Sequence, residues 1–193
     1  MNRTDVLNHL IEKYQLKRYL EIGVQNTTQN FDKTNCEYKI GVDPDPKANA
    51  SFCMTSDEFF DSYTELGSIP FDLVLIDGLH TDEQVQKDFE NSLKILSPNG
   101  FIVLHDLLPE TYERTLVPRP TKTGSWNGSC WKFGCKLGML ENFVTVNIDN
   151  GCGIWRNGGG YYIPSPKEWT WEEFSRYKNE ILNVITWQEF INL

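Results

Sequence analysis

The sequence lacks the features that mark a nucleic-acid-binding or membrane-spanning protein. It has 18 lysines and arginines against 27 aspartates and glutamates, so its formal net charge is −9. A chain this acidic is poorly suited to a phosphate backbone, and we expect no nucleic acid partner. No apolar run approaches the roughly 20 residues that a bilayer-spanning helix needs, so we expect no membrane span. Residues 1–10 also lack the apolar core of a signal peptide.

Cysteine is sparse and scattered, without CxxC spacing. The five cysteines are Cys36, Cys53, Cys130, Cys135 and Cys152. An odd, irregular set argues against a disulfide framework and against structural zinc, and it indicates free thiols in the reducing cytoplasm. The 39% of hydrophobic and 13% of aromatic residues are typical of a globular chain. At 193 residues we expect a single domain, 1–193.

Residues 71–109 hold the most informative pattern, which reads as strand, loop, helix, turn and strand. Phe71–Ile76 is a nearly continuous apolar run that ends at Asp77, and a second run at 101–104 is followed by Asp106. Such runs are typical of strands buried on both faces, and strand–helix–strand order predicts a parallel βαβ unit. The carboxyl ends of its strands meet at one edge of the sheet. We therefore expect Asp77 and Asp106 to lie close together at the ligand-binding edge.

The rest of the chain alternates in the same way. Further strands are predicted at 18–24, 39–42 and 50–54, and an Asn-Gly turn predicts a hairpin of 143–148 with 153–155. Helix starts are predicted from N-cap and capping-box residues at Thr55, Thr81, Thr170 and Thr186. The pattern predicts an α/β three-layer sandwich, with a helical region from 170 to about 184. The irregular stretch 107–130 follows a strand at the ligand edge and is expected to form much of an acceptor site.

An acidic residue and a glycine stand where a nucleoside could bind. Glu21 and Gly23 end the first strand, and Asp43 ends the second. An acid about 20 residues after a glycine loop suits a ribose, because a carboxylate accepts hydrogen bonds from both vicinal hydroxyls. The alternative is an ordinary turn glycine and a solvated aspartate.

Five segments in this order and spacing extend the pattern: YLEIGV, IGVDPDP, MTSDEFF, FDLVLIDGLH and FIVLHDLLP. Together they resemble the class I S-adenosylmethionine-dependent methyltransferases, most closely the small enzymes linked to sugar and glycan modification. The resemblance covers about residues 15–155. It implies a Rossmann-like, mostly parallel seven-stranded sheet with a C-terminal antiparallel hairpin, here followed by a helical extension at about 167–193.

The resemblance also implies S-adenosylmethionine as cofactor and a set of residues that bind it. These are Glu21, Gly23, Val24, Gln25, Asp43, Pro44, Thr55, Ser56, Asp57, Asp77 and Gly78. Asp43 would bind the ribose hydroxyls, and Asp77 would lie beside the sulfonium and the acceptor. Gln25 and Thr27 replace the later glycines of the family's ExGxGxG motif, so the path of this loop is expected to differ.

Methyl transfer to a hydroxyl needs an aligned oxygen and a base or a metal that removes or shares its proton. Asp77 and Asp106 could supply hard oxygen ligands to Mg²⁺ or Mn²⁺. Related metal-dependent enzymes carry another acid or asparagine beside the second carboxylate, whereas here the neighbour is His105. The alternative is that Asp77 only orients cofactor or substrate and that Asp106 is a cap or hydrogen-bonding partner.

Histidine is the side chain best suited to accept a proton at neutral pH. His80, in the loop after Asp77, is the preferred base and His105 the second candidate, so the predicted catalytic residues are Asp77, His80 and His105. A histidine held in a structural hydrogen bond is the alternative for either.

The tryptophans can be interpreted in two ways. Trp126 and Trp131 could stack on sugar faces or pack internally. Trp169, Trp171 and Trp187 are expected to be packing residues or to form a homodimer contact.

The sequence thus predicts an O-methyltransferase that acts on a hydroxyl of a sugar or glycan. A catechol-like small molecule is an alternative acceptor, and a nucleoside-binding module without turnover is an alternative class. A nicotinamide-dependent enzyme is disfavoured, since no tyrosine is followed four residues later by a lysine and the glycine loop is poor.

Overall fold

The computed structural model describes residues 1–65, 69–120, 124–158 and 167–193. The α-helices of these ranges are α1 (Arg3–Tyr14), α2 (Ser56–Glu65), α3 (Asp82–Lys94), α4 (Cys130–Leu137), α5 (Trp171–Ile181) and α6 (Trp187–Asn192). The strands are β1 (Arg18–Ile22), β2 (Tyr38–Val42), β3 (Phe71–Ile76), β4 (Leu96–Leu104), β5 (Phe143–Val146), β6 (Cys152–Arg156) and β7 (Val184–Ile185).

The strands form one seven-stranded sheet in the order β2-β1-β3-β4-β6-β5-β7. The pairs β1–β2, β1–β3, β3–β4 and β5–β7 are parallel, whereas β6 runs antiparallel to both β4 and β5. This confirms the predicted Rossmann-like, mostly parallel sheet with an antiparallel hairpin, and β5 and β6 are the hairpin strands that the Asn-Gly turn predicted.

The identity of one strand differs from the prediction. The segment 50–54 contributes only a single bridge, Phe52 to Val42, because the Thr55 capping box starts α2 directly afterwards. The seventh strand is instead β7, at the end of a region predicted to be helical. Asn183 breaks the helix there, since it adopts a positive φ of 50°. Its side-chain amide donates to the carbonyl of Gly138 at 2.9 Å and guides the chain onto β5.

Helices cover both faces of the sheet because successive strand residues point to opposite sides. One face packs against α2, α3, α4 and α5 through Leu20, Ile22, Val74, Ile76, Ile102 and Leu104. The other packs against α1 and α6 through Tyr19, Leu73, Leu75, Phe101 and Val103. The result is the predicted three-layer arrangement.

The later tryptophans pack within the chain. Trp131 is only 3% exposed, and its ring lies 4.4 Å from that of Phe174 and 6.2 Å from that of Trp171. Trp187 packs edge-on against His9. Of the two interpretations of Trp131, the structure supports internal packing, because the start of α4 lies against α5.

All five cysteines are free thiols, as predicted. Within the described ranges, the helices are too short or too polar to cross a bilayer.

The register of the parallel strands brings their carboxyl ends level. Ile22 pairs with Val42 on one side and with Ile76 on the other, and Ile76 pairs with Leu104. The residues that follow these positions, Gly23, Asp43, Asp77 and His105, therefore lie along one edge of the sheet. This edge carries a cavity that the four residues line.

Candidate active site

A cavity of about 630 Å³ opens at the carboxyl edge of β1, β2, β3 and β4. Its size is typical of small-molecule sites. The predicted cofactor residues Gly23, Val24, Gln25, Asp43, Pro44, Thr55, Ser56, Asp57, Asp77 and Gly78 all line it. At one end it is also lined by His80, His105, Asp106, Trp126, Asn150 and Arg3. The topology thus brings together ten of the predicted cofactor residues and all the predicted catalytic and metal-binding residues.

Gly23 is required where two loops meet at the cavity floor. It adopts a φ of +86°, and an added Cβ would collide with the carbonyl of Asp77. Only glycine takes up this conformation without strain. Its N–H donates to the Val42 carbonyl at 2.9 Å, and the Asp77 N–H donates to the Ile22 carbonyl at 2.9 Å. Gly23 therefore lets the loops after β1 and β3 approach each other.

Asp43 fixes the loops beside it. The N–H of Gln25 donates to Asp43 Oδ2 and the N–H of Asp45 donates to Oδ1, both at 2.8 Å. Each carboxylate oxygen can accept a second hydrogen bond. Asp43 can therefore hold this corner of the cavity and still accept hydrogen bonds from a ribose.

Glu21 lies apart from the other predicted cofactor residues. It does not line the cavity, because β1 points its side chain to the α1 face of the sheet. There its Oε2 accepts hydrogen bonds from the Tyr19 hydroxyl at 2.7 Å and from the Asn30 amide at 2.8 Å. Burial raises the pKa of Glu21 to about 7, against the lowering effect of these two hydrogen bonds. The structure thus gives Glu21 an internal position and no contact with the cavity.

Four charged side chains form a closed ring beside the cavity. Asp77 Oδ2 lies 3.2 Å from Arg3 Nε, and Asp77 Oδ1 lies 3.1 Å from His105 Nδ1. Asp149 Oδ2 closes the ring, at 3.2 Å from Arg3 Nη1 and 3.5 Å from His105 Nε2. Opposite charges therefore alternate around the ring and hold Asp77 from two sides.

The second strand-end carboxylate joins this ring through His105. Asp106 Oδ2 lies 3.3 Å from His105 Nδ1 and 3.3 Å from His80 Nδ1. Asp106 Oδ1 accepts a hydrogen bond from the Asn127 side-chain amide at 3.0 Å. Asp77 and Asp106 thus lie close together, as the βαβ unit predicted, and share one imidazole nitrogen.

The ring controls the charge states of its members. Burial would lower the pKa of His105, but Asp77, Asp106 and Asp149 raise it well above the ordinary value. Burial would raise the pKa of Asp77, but the charges of His105 and Arg3 lower it overall. The His105 imidazole, whose Nε2 lies 3.5 Å from Asp149 Oδ2, is the main reason that the pKa of Asp149 falls well below its usual range, and Arg3 lowers it further. This arrangement favours the protonated form of His105, because carboxylates flank both of its ring nitrogens.

His80 is held differently, in the cavity wall. Its ring stacks on Trp126, with centroids 4.9 Å apart and planes 6° from parallel. Its Nδ1 lies 3.2 Å from the Trp126 carbonyl oxygen, which can only accept, so in the neutral ring Nδ1 carries the hydrogen. Nε2 then carries the lone pair, and it lies 3.7 Å from Asp77 Oδ1. The geometry leaves Nε2 as the proton acceptor of this ring.

Trp126 forms part of the wall. His80 covers one ring face, and the Arg119 guanidinium lies 5.6 Å from the centroid. The indole N–H donates to the Leu116 carbonyl at 2.8 Å. The stacking surface that was predicted for a sugar is thus largely occupied by protein groups.

Asp77, His80 and Asp106 are candidate ligands for a divalent metal ion at this end of the cavity. One ligand atom each of Asp77, His80 and Asp106 lies within 4.8 Å of the others, which suits such an ion in spacing. However, His105 and Arg3 already contact the oxygens of Asp77, while His80, His105 and Asn127 contact those of Asp106. The residues therefore do not fit a metal ion unless these contacts rearrange.

Sequence reasoning missed Arg3, Asn127 and Asp149. Arg3 stands 74 positions before Asp77 and belongs to no recognisable motif. Asp149 precedes the Asn-Gly turn between the two hairpin strands, and the turn pattern alone gives it no function. Because β5 runs parallel to β4, the turn after β5 must lie at the same edge as Asp106, and the predicted hairpin could have indicated this.

The comparisons with known proteins agree with this geometry. Residues 13–107 match a protein family described as a methyltransferase domain. No curated protein sequence matches the chain at a significant level.

Several solved structures share the fold. The O-methyltransferase from Bacillus cereus in complex with SAH has a TM-score of 0.56 and 12% identity, over 81% of this chain and 80% of that one. The O-methyltransferase TomG from Streptomyces achromogenes, in complex with SAM, has a TM-score of 0.55 and 16% identity, over 81% and 80%. The MycE methyltransferase of the mycinamycin pathway, in complex with Mg, SAH and mycinamycin VI, has a TM-score of 0.54 and 18% identity, over 83% of this chain but 51% of that one. The methyltransferase domain matched by residues 13–107 and the shared fold together support S-adenosylmethionine-dependent methyl transfer by this chain.

Proposed function

We propose that this methyltransferase transfers the methyl group of S-adenosylmethionine to a hydroxyl of a sugar or glycan, with His80 as the general base. The observation that carries the proposal is the pairing of His80 with Asp106, beside Asp77, at one end of the cavity. The other end carries the nucleoside-binding pattern around Gly23 and Asp43. The O-methyltransferase names of the structural neighbours support oxygen as the acceptor atom.

When bound, the cofactor supplies a methyl group that its sulfonium has already activated. The chain must therefore mainly align the acceptor oxygen and take up its proton. Nε2 of His80 would take up the proton of the acceptor hydroxyl during the transfer. Asp106 and the Trp126 carbonyl fix this ring through Nδ1, and Asp106 stabilises the imidazolium that forms.

His105 has a different role in this proposal. Three carboxylates surround it, so it stays protonated and does not act as base. It keeps Asp77 and Asp106 at a fixed separation, and it partly neutralises them without a metal ion.

The acceptor end favours a ligand with several hydroxyls. Asp106, His80 and Asn150 line it, and all three can hydrogen-bond to hydroxyl groups. Leu79, which is 60% exposed, and Trp126 are apolar residues that also line the cavity. A catechol-like acceptor would be better served by an enclosed apolar slot. These hydrogen-bonding groups are the reason that a sugar hydroxyl is the proposed acceptor.

The proposal is tested by following methyl transfer from labelled S-adenosylmethionine to a panel of sugars, with catechols as the comparison set. His80→Asn should lower kcat by about 100-fold or more, because it removes the base. The dissociation constant of S-adenosylmethionine should stay within about twofold. His9→Asn is the matched control, since His9 lies on α1 outside the cavity lining. Full activity of His80→Asn would exclude this base. Tight cofactor binding with no transfer to any acceptor would favour the binding-module alternative.

A metal-assisted reaction is the second candidate, and the spacing of Asp77, His80 and Asp106 is the observation that favours it. Treatment with EDTA separates the two. Activity that survives EDTA supports charge balance by Arg3 and His105. Activity that is lost in EDTA and restored by Mg²⁺ or Mn²⁺ would show instead that these contacts rearrange around an ion.

A further inference from the structure

Among the described residues, the cavity wall has one arginine and several aspartates. Of the described residues that line the cavity, Arg3 is the only lysine or arginine. The aspartates that line it are Asp43, Asp45, Asp57, Asp77 and Asp106. An anionic ligand group entering this cavity would be repelled from most of its wall, and the guanidinium is the place where it could be neutralised.

Arg3 is aimed at the cavity by two ion pairs. Asn2 is the N-cap of α1, so Arg3 is the first residue of this helix. The start of the helix lies at the edge of the sheet that carries Asp77 and Asp149. The Nε atom of Arg3 faces Asp77, while both Nη1 and the backbone N–H of this residue contact Asp149 Oδ2. The side chain remains 21% exposed. Within the described ranges, Nη2 has no polar partner at hydrogen-bonding distance. The guanidinium group of Arg3 therefore keeps N–H donors for a ligand.

S-adenosylmethionine ends in an α-amino acid, whose ammonium and carboxylate stand on one carbon atom. The carboxylate is the only anion of this cofactor. Arg3 and Asp77 present a positive and a negative group 3.2 Å apart in the wall, which is the charge pattern complementary to such a zwitterion. A guanidinium also matches a carboxylate in geometry, with two parallel N–H donors.

The position along the sheet is consistent with this match. The ribose corner at Asp43 follows β2, and Asp77 follows β3, with β1 between them. Asp43 and Asp77 are thus separated by two strand spacings, which correspond to about 10 Å. A cofactor that extends from Asp43 across Gly23 therefore brings its amino-acid end to Asp77 and Arg3.

We propose that Arg3 binds the carboxylate of the cofactor's methionine portion, while Asp77 faces its ammonium group. Arg3 is then a binding residue for S-adenosylmethionine and for its product. This inference depends on the cofactor alone and does not depend on the acceptor proposed above.

The test compares two ligands that differ only in this carboxylate: S-adenosylhomocysteine and its decarboxylated analogue, S-adenosyl-3-thiopropylamine. Their dissociation constants are measured by calorimetry on the complete chain. Wild type should prefer S-adenosylhomocysteine by about 10- to 100-fold, the range of a charge-assisted hydrogen bond. Equal affinities of wild type for the two ligands would overturn the proposal without the need for any variant.

Variants then show whether Arg3 causes the preference for S-adenosylhomocysteine over its analogue. Arg3→Gln should weaken S-adenosylhomocysteine by about 10- to 100-fold and leave the analogue within about twofold. Arg176→Gln, at an exposed position of α5, is the matched control and should change neither. If Arg3 only holds Asp77 and Asp149 in place, Arg3→Gln would weaken both ligands alike, and the proposal would be wrong. Arg3→Lys keeps the positive charge but loses the paired N–H donors of the guanidinium. Its preference for S-adenosylhomocysteine should therefore lie between those of wild type and Arg3→Gln.

The outcome is independent of the acceptor. A protein that discriminates the carboxylate through Arg3 but methylates no sugar would contradict the proposed function and leave this inference standing. If the protein methylates a sugar but binds S-adenosylhomocysteine and its decarboxylated analogue equally, the proposed function stands and the inference about Arg3 is wrong.

Discussion

The buried carboxyl of Glu21 gives the protein a measurable pH dependence. Its side chain is enclosed by Tyr19 and Asn30 and is 2% exposed. Burial raises its pKa from 4.5 to about 7. A carboxyl whose pKa is higher in the folded state favours folding in its protonated form. Its contribution is therefore complete below about pH 4.5 and is lost as the pH rises toward 7.

The size of this effect follows from the two pKa values. The difference between 4.5 and about 7 corresponds to about 3 kcal/mol in the free energy of unfolding. About 2 kcal/mol of this is lost between about pH 5.5 and pH 8.5, a range that stays above the isoelectric point near 4.8. Glu21→Gln removes the titrating group and keeps the shape and a hydrogen-bond acceptor. The loss should then be absent from the variant.

The assay is urea unfolding of wild type and Glu21→Gln at both pH values, without cofactor. Other titrating groups, such as Asp88 with its pKa raised to about 6 by burial, contribute to both proteins and cancel in the comparison. The variant should gain about 2 kcal/mol relative to wild type on going from about pH 5.5 to about pH 8.5. Glu12→Gln, at an exposed position of α1, is the control. Parallel pH profiles for wild type and Glu21→Gln would refute the reasoning.

Two further predictions concern the cofactor loops. Gly23→Ala should abolish S-adenosylmethionine binding and lower the melting temperature by several degrees, because the new Cβ would collide with the Asp77 carbonyl. Gly158→Ala, where the added Cβ meets no atom within 4 Å, is its control in thermal unfolding and calorimetry. An unperturbed Gly23→Ala protein would contradict the close approach of the two loops. Asp43→Asn should weaken S-adenosylmethionine by about 10-fold or more in calorimetry, since it removes the charge that orders the neighbouring loops. Unchanged affinity would remove Asp43 from the cofactor site.

Local patterns predicted much of the fold. Capping residues and short apolar runs depend on neighbours in sequence, and the helix starts predicted at Thr55, Thr81 and Thr170 are confirmed. The edge strand Val184–Ile185 was missed because two residues carry too short a pattern. Its existence depends on Asn183, which ends α5 and bonds to distant carbonyls.

The site was predictable where topology decides it. Parallel strands with level ends were enough to bring Asp77 toward Asp106. The raised pKa of His105 was not predictable, because it depends on Asp77 and Asp149, which come from distant segments, as well as on the neighbouring Asp106. The position of Arg3 was not predictable either, because it depends on how α1 packs on one face of the sheet and brings its first residue to Asp77. The resemblance implied that Glu21 binds the cofactor, but in the structure its side chain does not line the cavity. Side chains alternate along β1, and that of Glu21 points to the α1 face, like that of Tyr19.

The most direct test of the account is a calorimetric titration of the chain with S-adenosylmethionine and, separately, with NAD⁺. The account predicts saturable binding of S-adenosylmethionine at one site, loss of that binding in Gly23→Ala, and no heat with NAD⁺. If S-adenosylmethionine gives no heat and does not raise the melting temperature, the cavity at the carboxyl edge serves another ligand and the account is wrong.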